Sequence, residues 1–357
     1  MGVFNAASFD QHEQLLFATD RESGLRAIIA VHDSRLGPAV GGCRMYPYAS
    51  DEAALDDVLR LSRGMTYKSA LAGLPLGGGK SVIIGDPQHD KSPALWRAMA
   101  THIDSLGGRY IAAEDSGTSV ADLRAMSEYT AHVSGIGGTE HGGDPSPSTA
   151  RGVYVAIRTA LAHRLGDSDL NGVRVAVQGL GHVGFALAKM LRESGAQVFA
   201  ADINPHTVAR AEAELAIVAL PQEEILFADV DVLAPCALGA ALNAQTIPDL
   251  RAGIVAGAAN NQLQSKEDGA RLVDRGILYC PDFLINAGGI IDVHYQHSGL
   301  DRTELAGHID SIGGRLAEVL HRADRCHRPT GEIAEELAEE LLGAAARRPA
   351  EQTLRVA

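Results

Sequence analysis

The stretch "VRVAVQGLGHVGFALAKML", residues 173–191, decides the fold. Its β-branched opening reads as a strand, its close as an amphipathic helix, and Gly179-Leu180-Gly181-His182-Val183-Gly184 joins them. A lone G-x-G-x-x-G is weak evidence. Here the next strand ends in Asp202, about 20 residues on, where a dinucleotide-binding unit carries its ribose-binding acid. Gly179 permits the tight turn, Gly181 lets a pyrophosphate approach the backbone, and Gly184 lets helix and sheet pack closely. Leu180, His182 and Val183 complete the expected cofactor turn. Asp202 would accept hydrogen bonds from both ribose hydroxyls and repel a 2′-phosphate, so NAD is expected over NADP.

Strands are expected at 173–177, 198–202, 229–235, 253–257 and 277–281, with helical stretches between them. That alternation indicates a doubly wound parallel sheet. The N-terminal part is a second α/β region. "LRAIIAVHD" (25–33) reads as a strand, and a helix capped by Ser50 runs over 50–65. A strand at 82–84 comes next, then a helix with Ser92 as N-cap, Pro93 at N1 and Gly107 at its end. The strand "RYIAA" (109–113) then delivers Glu114 and Asp115. The loop "GIGGTEHGGDPSPS" (135–148) is the expected hinge. The expected architecture is two α/β domains separated by a cleft, the first at 1–143 and a Rossmann-type NAD domain at 144–330. A C-terminal helix and tail at 331–357 would pack back on the first domain.

The 357 residues are 46% hydrophobic and 21% charged, an ordinary globular composition. A formal net charge of −14 and a pI near 5.4 argue against a nucleic-acid or anionic-membrane surface. Cys43, Cys236, Cys280 and Cys326 are scattered with no C-x-x-C pair, which suits a reducing cytoplasm and neither a disulfide framework nor a metal site. The N-terminus has no basic or apolar leader pattern, so a cytoplasmic protein is expected.

"GLPLGGGKS" (73–81) looks at first like a phosphate-binding loop. The P-loop spacing would require glycine where Leu74 stands, and a strand, not a helix, follows Lys80. Lys68 and Lys80 therefore need another role. A lysine is most often a solvated surface residue, but Lys80 opens an apolar strand. Two lysines close together in a half-buried site lower each other's pKa and make a base at neutral pH.

The set "GPAVGGCR" (37–44), "GMTYKSALAGLPLGGGKSVIIGDP" (64–87), "RYIAAEDSGT" (109–118) and "GDPSPSTARGV" (143–153) resembles the family of glutamate, leucine, valine and phenylalanine dehydrogenases. "APCALGA" (234–240), "GAANNQL" (257–263) and "PDFLINAGGII" (281–291) continue the match to about residue 330. The resemblance implies that Lys68 binds the substrate α-carboxylate with the Gly41–Gly42 backbone. Lys80 would be the general base that activates water, and Asp115 would exchange protons with the substrate amine. Asn261 would contact the substrate and Asn260 the cofactor. Thr149, Ile203, Cys236, Ala237, Ala258, Ala259 and Asn286 would complete the cofactor site. Glutamate enzymes of the family read G-P-A-K-G-G; Val40 in that place leaves a γ-carboxylate unpaired. Val40, Ala113, Ile290 and Val293 would form an aliphatic side-chain pocket, and Ala113-Glu114-Asp115 resembles the leucine and valine enzymes.

The expected activity is therefore reversible NAD-dependent oxidative deamination of a branched-chain L-amino acid, in a homo-oligomer without nucleic-acid or membrane partners. The alternatives are an aromatic amino-acid dehydrogenase and a non-catalytic NAD-binding homologue. Cys43, Ser116 and Asp144 depart from the family's usual Thr, Val and Asn, and none of the three removes a catalytic group.

Overall fold

The computed structural model describes residues 2–136 and 143–347; residues 137–142 of the expected hinge and 348–357 of the tail lie outside the described residues. The chain divides into two compact units. The first takes residues up to Gly143, with Gln296–Leu300 and the segment from Ala338; the second takes Asp144–Tyr295 and Asp301–Leu337.

The first unit holds β1 (Gln14–Asp20), β2 (Leu25–Asp33), β3 (Ala39–Tyr46), α1 (Asp51–Leu71), β4 (Gly77–Ile84), α2 (Pro93–Asp104), β5 (Tyr110–Ala113) and α3 (Val120–Ser127). Its sheet has the order β1-β2-β4-β3-β5. β2 runs antiparallel to β1 and β4, whereas β3 runs parallel to β4 and β5. Side chains of a strand alternate between faces. Ile29, Cys43, Met45 and Ile83 pack with Trp96, Met99 and Ile103 of α2. Ile28, Ala30 and Val82 face Ala54, Val58 and Leu59 of α1. The Ser50 and Ser92 hydroxyls accept from the N–H groups of Ala53 and Leu95, capping α1 and α2 as expected.

Three local features differ from the sequence reading. α1 does not stop near Met65 but continues to Leu71, so Lys68 lies in its last turn and not after it. Gly64 inside a helix costs about 1 kcal/mol, and burial of Tyr67, Ala70 and Leu71 offsets it. β4 begins at Gly77 and not at residue 82, so Lys80 sits mid-strand. Its glycines are there because neighbours come too close for a side chain: a Cβ on Gly78 would lie 2.0 Å from the Thr66 nitrogen of α1, and one on Gly79 2.6 Å from the Tyr110 ring. Strands β1 and β3 were not anticipated; β1 is a half-buried edge, and β3 is rich in glycine, which normally weakens a strand.

The second unit holds α4 (Ser146–Leu165), β6 (Arg174–Gln178), α5 (His182–Glu193), β7 (Gln197–Ala201), α6 (Pro205–Leu215), β8 (Val218–Ala219), β9 (Val232–Pro235), β10 (Ile254–Val255), α7 (Glu267–Asp274), β11 (Leu278–Tyr279), α8 (Asp282–Ile285) and α10 (Leu305–Cys326). The helices α9 (Gly288–Ser298) and α11 (Thr330–Ala346) complete the chain. The sheet order is β11-β10-β9-β6-β7-β8, with every described pair parallel, as the alternation predicted. β9 starts three residues late because the Asp231 carboxylate accepts from the Arg174 N–H, turning the chain before the ladder begins.

Cys43 and Cys280 are buried, one in each unit. Burial pushes the Cys43 thiol up to about 12 and raises that of Cys280. Among the described residues no helix is long and apolar enough to cross a membrane, and no cluster of His, Cys, Asp or Glu could hold a metal ion.

Candidate active site

In the first unit the parallel ends of β4, β3 and β5 meet. Gly41 and Gly42 pair with Ala112 and Ala113, and Ala30 pairs with Lys80. Gly41 has no room for a Cβ, which would lie 1.7 Å from the Gly79 carbonyl, so β3 and β4 can close only with a glycine there. The Tyr110 hydroxyl braces the back of the sheet, donating to the Gly41 carbonyl at 2.8 Å.

Asp115 follows β5 in a turn that is stitched to β3. The Ser116 N–H donates to Asp115 Oδ1 at 2.7 Å, and the Thr118 hydroxyl donates to the Cys43 carbonyl at 2.8 Å. This turn puts the Asp115 side chain over Gly42, where a Cβ would lie 2.6 Å from that of Asp115. Lys80, only 6% exposed, forms an ion pair with Asp115 Oδ2. Arg44 Nε lies 3.5 Å from the same oxygen. Burial alone would raise the Asp115 pKa; the charges of Lys80 and Arg44, with hydrogen bonds from Lys80 and the Ser116 N–H, outweigh it and hold the carboxyl below its ordinary range. A buried lysine without such a partner would be costly.

Thr66, two residues before Lys68, lies against Gly78, two residues before Lys80. Lys68 itself is half-buried. Val40 is buried and Ala113 half-buried beside them. Ile290 and Val293 belong to the second unit, half-buried one turn apart on α9. The sequence reading gives Arg44 no part, because the glycine-rich β3 that carries it does not read as a strand.

The glycine turn of the second unit fits a dinucleotide. Gly179 is left-handed at φ 95°. A Cβ on Gly184 would lie 2.0 Å from the Gly179 carbonyl oxygen, whereas one on Gly181 would meet open space. Among the described residues no side chain caps the start of α5, which leaves its first N–H groups to an anion. The Asp202 carboxylate accepts from the Leu180 N–H at 2.6 Å and the Asn204 N–H at 2.8 Å, which fixes it beside the turn. Ile203, next to it, is 85% exposed. Asp144 reaches His182 at the head of the turn, Oδ2 to Nδ1 3.2 Å. Val183 follows His182 in the first turn of α5.

Cys236 and Ala237 flank this turn: the Cys236 Cβ lies near Gly184 and Ala237 near Gly179. Asn286 donates to the Ala258 carbonyl at 3.1 Å and to Asn260 Oδ1 at 2.8 Å. Its own Oδ1 is buried with no hydrogen-bond partner among the described residues, an acceptor fit for a donor supplied by a ligand. Ala259 is buried beside Asn260. Asn261 is left-handed at φ 53° and exposed, with its N–H held by Asp282 at 2.6 Å. Thr149, in the first turns of α4, lies against Gly289.

Residues 12–132 match the dimerisation domain of the Glu/Leu/Phe/Val dehydrogenases, and residues 137–206 and 206–301 match the Glutamate/Leucine/Phenylalanine/Valine dehydrogenase domain. The leucine dehydrogenase of Geobacillus stearothermophilus is 47% identical over 95% of this chain and 93% of its own. The crystal structure of L-tryptophan dehydrogenase from Nostoc punctiforme superposes with a TM-score of 0.83 at 41% identity, covering 94% of this chain and 97% of that one. A hetero-hexameric glutamate dehydrogenase from Thermus thermophilus gives 0.76 at 26% identity, over 94% and 89% of the two chains. A paired lysine and acid on one sheet and a dinucleotide turn on the other thus accompany likeness over nearly the whole length, and the chain belongs to the glutamate/leucine/phenylalanine/valine dehydrogenase family.

Proposed function

We propose that this protein catalyses the reversible NAD-dependent oxidative deamination of a branched-chain aliphatic L-amino acid to the 2-oxo acid and ammonia. The observation that carries this reading is the buried Lys80–Asp115 pair beside the bare Gly41–Gly42 backbone, with Val40 and not a cation next to it. High identity to leucine dehydrogenases supports the substrate class.

Residues 1–143 bind the amino acid in this reading, and residues 144–330 bind the cofactor. Of the C-terminal helix and tail at 331–357, the part described from Ala338 on belongs to the first unit, where the Tyr67 hydroxyl donates to Glu339 at 2.7 Å, whereas residues up to Leu337 belong to the second. A bound nicotinamide would supply the acceptor for the Cα hydride. Lys68 and the Gly41–Gly42 backbone hold the α-carboxylate. Asp115 takes a proton from the substrate ammonium, Lys80 takes one from the water that attacks the iminium carbon left by hydride loss, and Asp115 returns its proton to the nitrogen that leaves as ammonia. Val40, Ala113, Ile290 and Val293 accept the aliphatic side chain. Gly179, Gly181 and Gly184, with Leu180, His182 and Val183, hold the pyrophosphate, and Asp202 the ribose hydroxyls. The protein works in the cytoplasm as a homo-oligomer.

The test is NADH formation with leucine, isoleucine, valine, phenylalanine, tryptophan and glutamate, repeated with NADP. Highest kcat/KM on an aliphatic substrate, with NADP much the poorer cofactor, is expected. A lead for phenylalanine or tryptophan would move the protein to the aromatic branch, and equal use of NADP would remove the role given to Asp202.

A further inference from the structure

Arg44 takes no part in the reaction as proposed, yet its guanidinium lies between two acids, hydrogen-bonded to one and ion-paired with the other. Nη1 donates to Asp57 Oδ2 on α1 at 2.8 Å, while Nε lies 3.5 Å from Asp115 Oδ2. Asp57 is itself fixed, accepting from the Tyr48 hydroxyl at 2.6 Å and from Arg60 at 2.8 Å. A floppy cation near an active-site acid would be an accident of the surface. This one is braced by a second acid and two further donors, in a strand whose neighbours are buried.

We propose that Arg44, held by Asp57, is a positioning residue that keeps Asp115 ionised and aimed at Lys80, and so sets the pH below which Asp115 can no longer take the substrate's proton. The inference rests on the proposed function. In the step concerned, an N–H bond of the substrate ammonium breaks, an O–H bond forms on Asp115, and the electron pair stays on nitrogen. Two cations against one carboxylate weaken it as a base, which keeps it unprotonated when substrate arrives. Asp115 faces Lys80 from β4, Arg44 and the Cys43 thiol from β3, and the Tyr110 hydroxyl from β5. The thiol and the phenol are both pushed up by burial and stay neutral. Lys68 stands on α1 and Glu114 precedes Asp115 in the chain.

The test is the pH profile of kcat/KM for leucine with NAD. Arg44→Met should move the acid limb upward by about one pH unit, whereas Arg44→Lys, which keeps the charge, should return it close to the wild-type position. If the Met variant does not fold, Arg44→Gln keeps a donor for Asp57 without the charge and should show the same upward move. An acid limb that stays put in the uncharged variant, or moves as far in Arg44→Lys, overturns the proposal. Asp115→Asn separates the two readings. It should abolish turnover or remove the acid limb; an unchanged limb would instead remove Asp115 from the reaction, and the role of Arg44 with it.

Discussion

The two sheets solve opposite problems. That of the second unit is parallel and apolar through its middle, and its polar business is done by backbone N–H groups at the strand ends, around Gly179–Gly184. That of the first unit carries Lys80 and Arg44 inside its strands, where charges are expensive, and tolerates them because Asp115 and Asp57 lie against them. A binding turn built of backbone depends on space. A site built of buried charges depends on every partner being present.

The largest expected effect breaks the charge side of this comparison. Lys80→Ala should lower kcat by roughly 10³-fold, leaving Asp115 with Arg44 alone. NAD affinity, followed by fluorescence titration, should not change. A loss of NAD binding in this variant would show that the two units do not divide the work as argued.

The space side is sharpened by two glycines of one turn. Gly184→Ala places a methyl 2.0 Å from a backbone oxygen, so it should weaken NAD binding about a hundredfold and lower the melting temperature of the protein. Gly181→Ala places it in open space, so the fold should keep its melting temperature while NAD affinity drops about tenfold. Equal melting temperatures for the two variants would contradict the close approach at Gly184.

The smallest effect concerns a buried pair in the first unit that carries no charge. His12 and His32 stack edge to face at 4.8 Å, and His12 Nε2 meets the Leu59 carbonyl at 3.0 Å. Burial, with help from His32 and Arg63 and against the Leu59 carbonyl and Asp10, lowers the His12 pKa to about 4. The unfolded chain therefore binds the proton first. Stability from His12 is complete above about pH 6.5 and is lost as the pH falls towards 4. Between pH 6.5 and 5 this costs about 2 kcal/mol. His12→Gln should flatten the pH dependence of the denaturation free energy in that window, and an unaltered slope would show that His12 is not held neutral.

The same contrast explains what could be read in advance. The cofactor turn is local: strand, three glycines, helix and acid follow one another within about 30 residues, so spacing alone exposes it. The other site is assembled by strand order. Arg44, Lys80 and Asp115 come from β3, β4 and the end of β5, neighbours only because the chain crosses over between them. Periodicity singled out Lys80 as unusual, and family resemblance supplied the roles of Lys80 and Asp115. Arg44 was quoted within a motif and given no part, because nothing local reveals what faces it. The glycines of β4 misled the strand boundary for a related reason: their justification is the Thr66 backbone and the Tyr110 ring, both remote in sequence.

One thiol is buried in each unit, Cys43 in β3 of the first and Cys280 just after β11 of the second, while Cys326 is exposed. These three sulfur atoms form a built-in stopwatch. A thiol reagent will mark Cys326 at once, and it can reach either buried sulfur only when the surrounding sheet opens. The delay at each site, read by mass spectrometry with and without NAD, reports how often each half of the molecule comes apart, and whether the nucleotide quiets one half or both.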